Sequence, residues 1–440
     1  MDYLTSGSIL VALLFASGSC GALVLAAGRP LRVTRAPIAF GLFAFATVVL
    51  GTGSVIATRA LFPYYTAPIA DALWLEGIGV SAVAAVVWLA AHLPQRHGRM
   101  RFEWSAPRLD ALILILGVLA IVSTIGVIRE IGYVPLFRGD IREERSDGTL
   151  LAGAGILLRL SLLSVPVAVL AAVRYLHFGR SSLAVAMFSA GVVCSALYGP
   201  RFFPLVAVVT ALTLVDQFRR AIRVWQVIVV GAAMVPILIG AAIHRENISE
   251  ADVSLSSPAI TVFYFAFGEF RDFASSLSFF DRPDARLRGE TLPSVVVPLL
   301  PGKLWRLVGV DKDALYARSS ADVMSEYMNV PTGIRIGVVG ELYMNFGIPG
   351  IVIGMVVLAG VVVMLDRRLL SSTLASPLAP FWALMVVLTT FTLIGQLNMY
   401  TSSLSGFGYP LLVAALVGAR RVPSQGAPGD TAIASLRTGA

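Results

Sequence analysis

Hydrophobic residues run on for about twenty positions at a time along most of this chain, with short polar stretches between the runs. The runs fall near 7–28, 36–58, 68–92, 109–128, 150–173, 182–199, 202–218, 222–243, 347–365, 378–398 and 403–419. A helix needs about 20 apolar residues to cross roughly 30 Å of hydrocarbon. The pattern therefore predicts an all-α polytopic membrane protein of about 11 transmembrane helices. Between the sixth and seventh runs, Gly199-Pro200-Arg201 breaks the helix and permits a tight hairpin. One transmembrane domain is expected over 1–422. Residues 423–440 are small and polar, and are expected to form a disordered tail.

Composition points the same way. The 440 residues are 57% hydrophobic and 14% charged, with a mean hydropathy of +0.82, whereas a soluble domain carries about 25% charged residues. Too few polar side chains remain to cover a water-facing surface. The net charge of +8 rests almost wholly on arginine, since Lys303 and Lys312 are the only lysines. These cations are spread between apolar runs rather than gathered in a patch, which argues against a nucleic-acid partner. Alternate loops collect them: Arg29, Arg32 and Arg35; Arg96, Arg99, Arg101 and Arg108; Arg174 and Arg180; Arg219, Arg220 and Arg223; Arg367 and Arg368; and Arg420 and Arg421. Cytoplasmic loops carry the excess of Lys and Arg, so the N-terminus is expected outside and the C-terminus and its tail inside. Cys20 and Cys194 lie inside apolar runs, as small buried hydrophobes do.

Two segments on the expected outer side hold the unusual chemistry. One, 129–148, carries Arg138, Arg142 and Arg145 among five carboxylates, which can simply pair with them in solvent. The other is a large loop, about 244–346, between the eighth and ninth spans. Within it, 257–280 has Phe263, Phe267, Phe270 and Leu277 at helical spacing, fitting an interfacial or re-entrant helix. Glu269, Arg271 and Asp272 interrupt that apolar stretch and are expected to line a cavity, because unpaired charge there is costly. Glu269 and Arg271, two apart on a helix, do not face each other. Pro293, Pro298 and Pro301 prevent a continuous helix further on, and Lys303 and Arg306 follow. From Arg335 to Leu365 one helix would be longer than a bilayer needs. The expected arrangement is a short outer helix, a break around Gly347–Gly350, and then the span, with Glu341 in a recess just outside the membrane. A structural hydrogen bond is the plainer role for that carboxylate.

GELYMNFGIPG (340–350), preceded by PTGIRIG (331–337), resembles the corresponding segment of the Wzy-type O-antigen and polysaccharide polymerases. PLLPGK (298–303) is similar to the proline- and lysine-bearing stretch of their outer loop. The resemblance implies a glycosyltransferase in the bacterial plasma (inner) membrane, with its active site facing the periplasm. Such an enzyme takes a glycan from an undecaprenyl diphosphate carrier and joins it to the non-reducing end of another lipid-linked repeat unit. A departing diphosphate needs positive charge set in place beforehand, and arginine binds two oxygens at once. The candidates are Arg201, Arg271 and Arg335, then Arg138, Arg142, Arg145 and Lys303. The acceptor hydroxyl needs a base, for which Glu341 and then Glu269 are candidates; His244 is the outer side's one histidine. A preactivated lipid donor calls for neither metal nor cofactor. Implied partners are the lipid-linked oligosaccharides, membrane lipids, and flippase and chain-length regulator proteins.

Two other functions stay open. An O-antigen ligase-type glycan transferase would share the loop and its arginines and differ only in acceptor. A lipid-linked oligosaccharide flippase or transporter should carry charge near the bilayer midplane, whereas Asp71, Glu76 and Asp110 are expected near span ends.

Overall fold

The computed structural model describes residues 6–28, 31–59, 68–93, 102–137, 155–197, 202–223, 268–300, 319–328, 335–393 and 397–421, with 225, 226, 229, 305, 307, 309 and 395 singly. In chain order its helices are α1 (Ser6–Ala26), α2 (Ala36–Arg59), α3 (Ile69–Ala91), α4 (Ala106–Ile131), α5 (Gly155–Ser161), α6 (Ser164–Phe178), α7 (Ser182–Leu197) and α8 (Phe202–Phe218). Then come α9 (Gly268–Phe280), α10 (Leu292–Val296), α11 (Ser320–Met328), α12 (Gly337–Ser371), α13 (Ala379–Phe391), α14 (Leu397–Ser403) and α15 (Tyr409–Gly418). Two short strands, β1 (Phe102–Trp104) and β2 (Ala419–Arg421), pair antiparallel.

Seven helices are long and apolar enough to cross a membrane, counting α5–α6 and α14–α15 each as one, and three shorter apolar ones, α7, α8 and α13, stand beside them. The chain is thus an all-α polytopic membrane protein. The expected span near 222–243 lies almost wholly outside the described residues, as does the tail 423–440. Where a soluble protein would show polar side chains, this one exposes Leu14, Leu25, Ile115, Ile125 and Val357. With hydrocarbon outside as apolar as the interior, close backbone approach replaces the hydrophobic effect as the packing device. A Cβ on Gly77 would lie 2.5 Å from the Phe15 ring, and one on Gly191 2.6 Å from the Ser164 carbonyl oxygen, so glycine lets α3 approach α1 and α7 approach α6.

Among the described residues, the basic connections meet at one end of the bundle. Arg35, buried, donates to Asp366 at 2.7 Å and to the Gly28 carbonyl at 3.0 Å. Arg32 reaches the carbonyls of Asp216 and Gln217, and the Asp216 carboxylate accepts from Thr34. Arg367 holds the Ala90 carbonyl, Arg108 the Ala419 carbonyl, and Arg174 pairs with Asp110 at 2.7 Å. The β1–β2 ribbon and the Trp104 N–H on the Ala375 carbonyl close the same face. Each of the arginines satisfies a helix-end carbonyl or a carboxylate, the arrangement that helix C-termini favour.

Asp366→Ala strands the Arg35 guanidinium without its carboxylate in a buried site. It is expected to lower stability by about 3–5 kcal/mol, read as a fall in melting temperature of the purified protein in detergent, with Arg35→Met/Asp366→Leu recovering most of it.

Candidate functional site

Helix α12 is two helices. Gly347, with φ +68° and ψ −154°, breaks it into α12a (337–346) and α12b (348–371). The angle is sharp. A Cβ on Gly354 would lie 2.4 Å from the Leu342 side chain, and Val339, Ile351 and Met355 all meet around Gly79 of α3. In a straight helix Leu342 and Gly354 would be about 18 Å apart. The two segments therefore form a hairpin, and α12a doubles back along the first turns of α12b. The break anticipated at Gly347 is present, but its first arm does not project beyond the span. Glu341 consequently lies beside the span, inside the bundle and 1% exposed, rather than in a recess outside it.

Such a bend releases backbone acceptors. The Met344 carbonyl loses its helical donor at the bend, and Pro349 has no N–H to offer the Asn345 carbonyl. The segment 286–291 supplies both: Leu287 N–H donates to Met344 at 3.0 Å and Arg288 N–H to Asn345 at 3.1 Å. The Asn345 side chain completes the seam, accepting from the Gly289 N–H at 3.0 Å and donating to the Thr291 hydroxyl and the Glu341 carbonyl at 2.8 Å each. Arg288 takes the left-handed conformation, φ +49°, to make this fit, with Gly289 following at +96°. Arg286 lies flat on the bend: a Cβ on Gly347 would be 2.5 Å from its guanidinium carbon, which also stands 5.8 Å from the Tyr343 ring centre. Neither arginine figures in the sequence expectations. The ARLRG run that carries them, two guanidinium groups beside a turn glycine in the outer loop, is the signal that could have found them.

α9 packs against α2, α3 and α12a, its Phe273 ring on Gly340 and its Phe270 on Gly51. Phe270, Phe273, Ala274, Leu277 and Phe280 are all buried, so the helix is wedged among the spans instead of lying on a membrane surface. Gly51 stands about 22 Å along α2 from the basic end, so the charges on the first turn of α9 fall within the roughly 30 Å hydrocarbon thickness. There they pair. Arg271 donates to Asp272 at 3.0 and 2.8 Å, the second Asp272 oxygen accepts from the Arg335 backbone N–H at 3.3 Å, and the Arg335 guanidinium is 3.6 Å from Glu269. The Arg335 side chain is half-exposed, and among the described residues Glu269 Oε2 is buried without a hydrogen-bond donor.

Glu341 lies against α14. Its Oε2 accepts from the Leu397 N–H, the first of α14, at 2.9 Å. Oε1 is buried without a donor among the described residues, and the Ser320 hydroxyl stands beside it outside hydrogen-bonding geometry. The structure thus brings Glu269, Arg271 and Arg335 together and seats Glu341 about one helical turn beyond Gly337. Among the described residues, no hydrogen bond or ion pair joins Glu341 to the arginine cluster. Arg201, Arg138, Arg142, Arg145, His244 and Lys303 lie outside the described residues, and no group of three metal-ligating side chains assembles among those described. Glu76 departs from expectation. Asp71 and Asp110 are near helix ends, but Glu76 is two turns into α3 and buried.

No protein-family model, curated protein or solved structure matches this chain.

Gly347→Ala places a methyl on the Arg286 guanidinium and forces an L-residue into the left-handed region, costing about 1–2 kcal/mol from the backbone alone. Asn345→Ala leaves buried partners of three hydrogen bonds unmet, about 1–3 kcal/mol. Both are expected to lower the melting temperature, whereas Phe346→Leu on the exposed side of the bend should not.

Proposed function

We propose that this protein is a polysaccharide polymerase of the bacterial plasma membrane. In this reading it moves a glycan from undecaprenyl diphosphate to the non-reducing end of a second lipid-linked repeat unit. The observation that carries the reading is the helical hairpin in GELYMNFGIPG. The segment that resembles the Wzy-type polymerases is the one that bends, buries a carboxylate with one oxygen unmet among the described residues, and packs against an arginine-bearing helix. Charge wedged among spans in this way is expensive and marks a working site more often than a structural one.

The chemistry follows from the residues. The acceptor sugar hydroxyl attacks the anomeric carbon of the donor glycan, forming the new glycosidic C–O bond. The bond from that carbon to the carrier diphosphate breaks, and the oxygen leaves with the electron pair. Glu341 takes the hydroxyl proton, with Glu269, whose Oε2 has no donor among the described residues, as the second candidate. Arg335, half-exposed, and Arg286 and Arg288 at the bend meet the charge that builds on the diphosphate. Arg271 is engaged by Asp272 and positions that carboxylate against Arg335. The end that gathers the basic loops is the cytoplasmic one in this reading, so the bend opens to the periplasm.

Glu76 favours a second reading, transport, because a buried carboxylate two turns inside a span suits a proton or ion path.

Purified protein given a synthetic diphosphate-linked repeat unit, without nucleotide sugar, should yield a ladder of products. Glu341→Gln and Arg335→Ala should each remove the ladder while the protein still inserts and melts normally. Leaflet-to-leaflet scrambling of the lipid with no new glycosidic bond, abolished by Glu76→Gln, would establish transport instead. Arg288→Cys should be labelled by a membrane-impermeant maleimide applied to intact cells; labelling only after permeabilisation would invert the orientation.

A further inference from the structure

Ser319-Ser320-Ala321-Asp322 opens α11, and the first serine closes the helix end. Ser319 gives its N–H and its hydroxyl to Asp322 Oδ2, at 2.9 and 2.6 Å, and its own oxygen accepts the Asp322 N–H at 3.3 Å. This reciprocal pair is a capping box, so the second serine has no capping duty. Ser320 is fully buried, and its hydroxyl has no hydrogen-bond partner among the described residues. It stands beside the Glu341 carboxyl group, whose Oε1 is likewise buried and unmet among them.

Packing sets the place of that hydroxyl. Val323 and Met324 of α11 are buried, and Tyr327 holds its ring 5.5 Å from that of Phe279 and 5.1 Å from that of Phe280, at the end of α9. Ser320 and Tyr327 are about 10 Å apart along the helix. A short side chain on a pinned helix thus meets Glu341, rather than a long one finding its own way.

What each unmet atom can do decides how the pair works. The Leu397 N–H only donates, so Glu341 Oε2 stays an acceptor and Oε1 is left as the place for a proton. A carboxylate oxygen accepts when bare and donates once it carries a proton. A hydroxyl does both, by turning about its C–O bond. Ser320 can therefore serve Oε1 before a proton arrives and after. The charge of Asp322 in the first turn of α11 offsets the helix dipole, which leaves the hydroxyl as the group that acts on Glu341.

We infer that Ser320 is a positioning residue for the proton transfer, and that Oε1 is the oxygen of Glu341 that receives the proton. The inference rests on the transferase reading and adds to it the group that steadies the base. Before transfer the Ser320 O–H donates to Oε1. The acceptor sugar O–H bond then breaks as its oxygen bonds the anomeric carbon, and its proton passes to Oε1. The Ser320 oxygen turns to accept the O–H now on Glu341.

The test follows initial rates of elongation by the full-length protein on the synthetic diphosphate-linked repeat unit. Ser320→Ala should lower kcat about ten- to a hundred-fold, with KM changed less than about two-fold. Ser320→Thr keeps the hydroxyl and should recover most of the rate. Ser320→Cys, similar in shape but a weak donor, should fall between, and it decides the matter if the alanine variant fails to fold. A serine with a structural role alone would move the melting temperature and leave kcat as it was. A second arm needs no turnover. The melting-temperature shifts of Ser320→Ala and Glu341→Gln should not sum to that of the double variant, whereas groups out of contact add. Additive shifts, or full kcat in Ser320→Ala, would overturn the assignment. A ladder from the wild type with full kcat in Ser320→Ala defeats this inference alone; no ladder from the wild type defeats the transferase reading and takes the role of Ser320 with it.

Discussion

Hydrocarbon offers no hydrogen bonds, so every backbone N–H and C=O at membrane depth must find its partner within the protein. That constraint governs the arrangement around Gly347. A proline and a left-handed glycine free two carbonyls where lipid could not satisfy them, and 286–291 is laid over the bend to satisfy both. Because the seam must close, Arg288 accepts a conformation unusual for a side-chain-bearing residue. Arg286 is pressed onto the bare α-carbon of Gly347 for the same reason, and a stretch of loop becomes as fixed as a helix. The guanidinium groups are carried into place by a backbone requirement.

Charge is handled differently at the two ends of the bundle. At the basic end it is used for fastening: Arg35, Arg174 and Arg367 each terminate on a carboxylate or a carbonyl. Around α9 the pairing is looser. Arg335 is half in solvent at 3.6 Å from Glu269, and both Glu269 and Glu341 keep one oxygen without a donor among the described residues. Unmet buried atoms are not confined to that end, since Arg174 and Trp104 also carry them; what sets the second end apart is an arginine half in solvent over a buried carboxylate.

Much of the bundle is legible in the sequence, because apolar run length and the alternation of arginine-rich loops are set directly by bilayer thickness and by loop charge. The site is legible only in part. Pro349 and Gly347 announce a break, but residue order does not encode its angle, and the folding back is decided by Leu342 meeting Gly354 across the hairpin. Glu341 therefore moves from outside the membrane to inside the bundle. The aromatic spacing of α9 suits an amphipathic surface helix equally well; burial of Phe270 on Gly51 shows it wedged instead. Glu76 is misjudged for a simpler reason: the run 68–92 already leaves two turns before it, as α3 does from Ile69. Arg286 and Arg288 escape notice because their importance comes from what lies opposite them, 57 to 61 positions away in the chain.

The Arg35–Asp366 pair also bears on how the protein is made. Its partners are 331 residues apart, so during synthesis the guanidinium emerges long before the carboxylate that neutralises it. A buried arginine without its carboxylate is costly, so the Arg35 end of α2 reaches its final surroundings only once α12b has entered the bilayer. Closure of this end is in that respect back-loaded, while α1 and α3 can pack on each other beforehand.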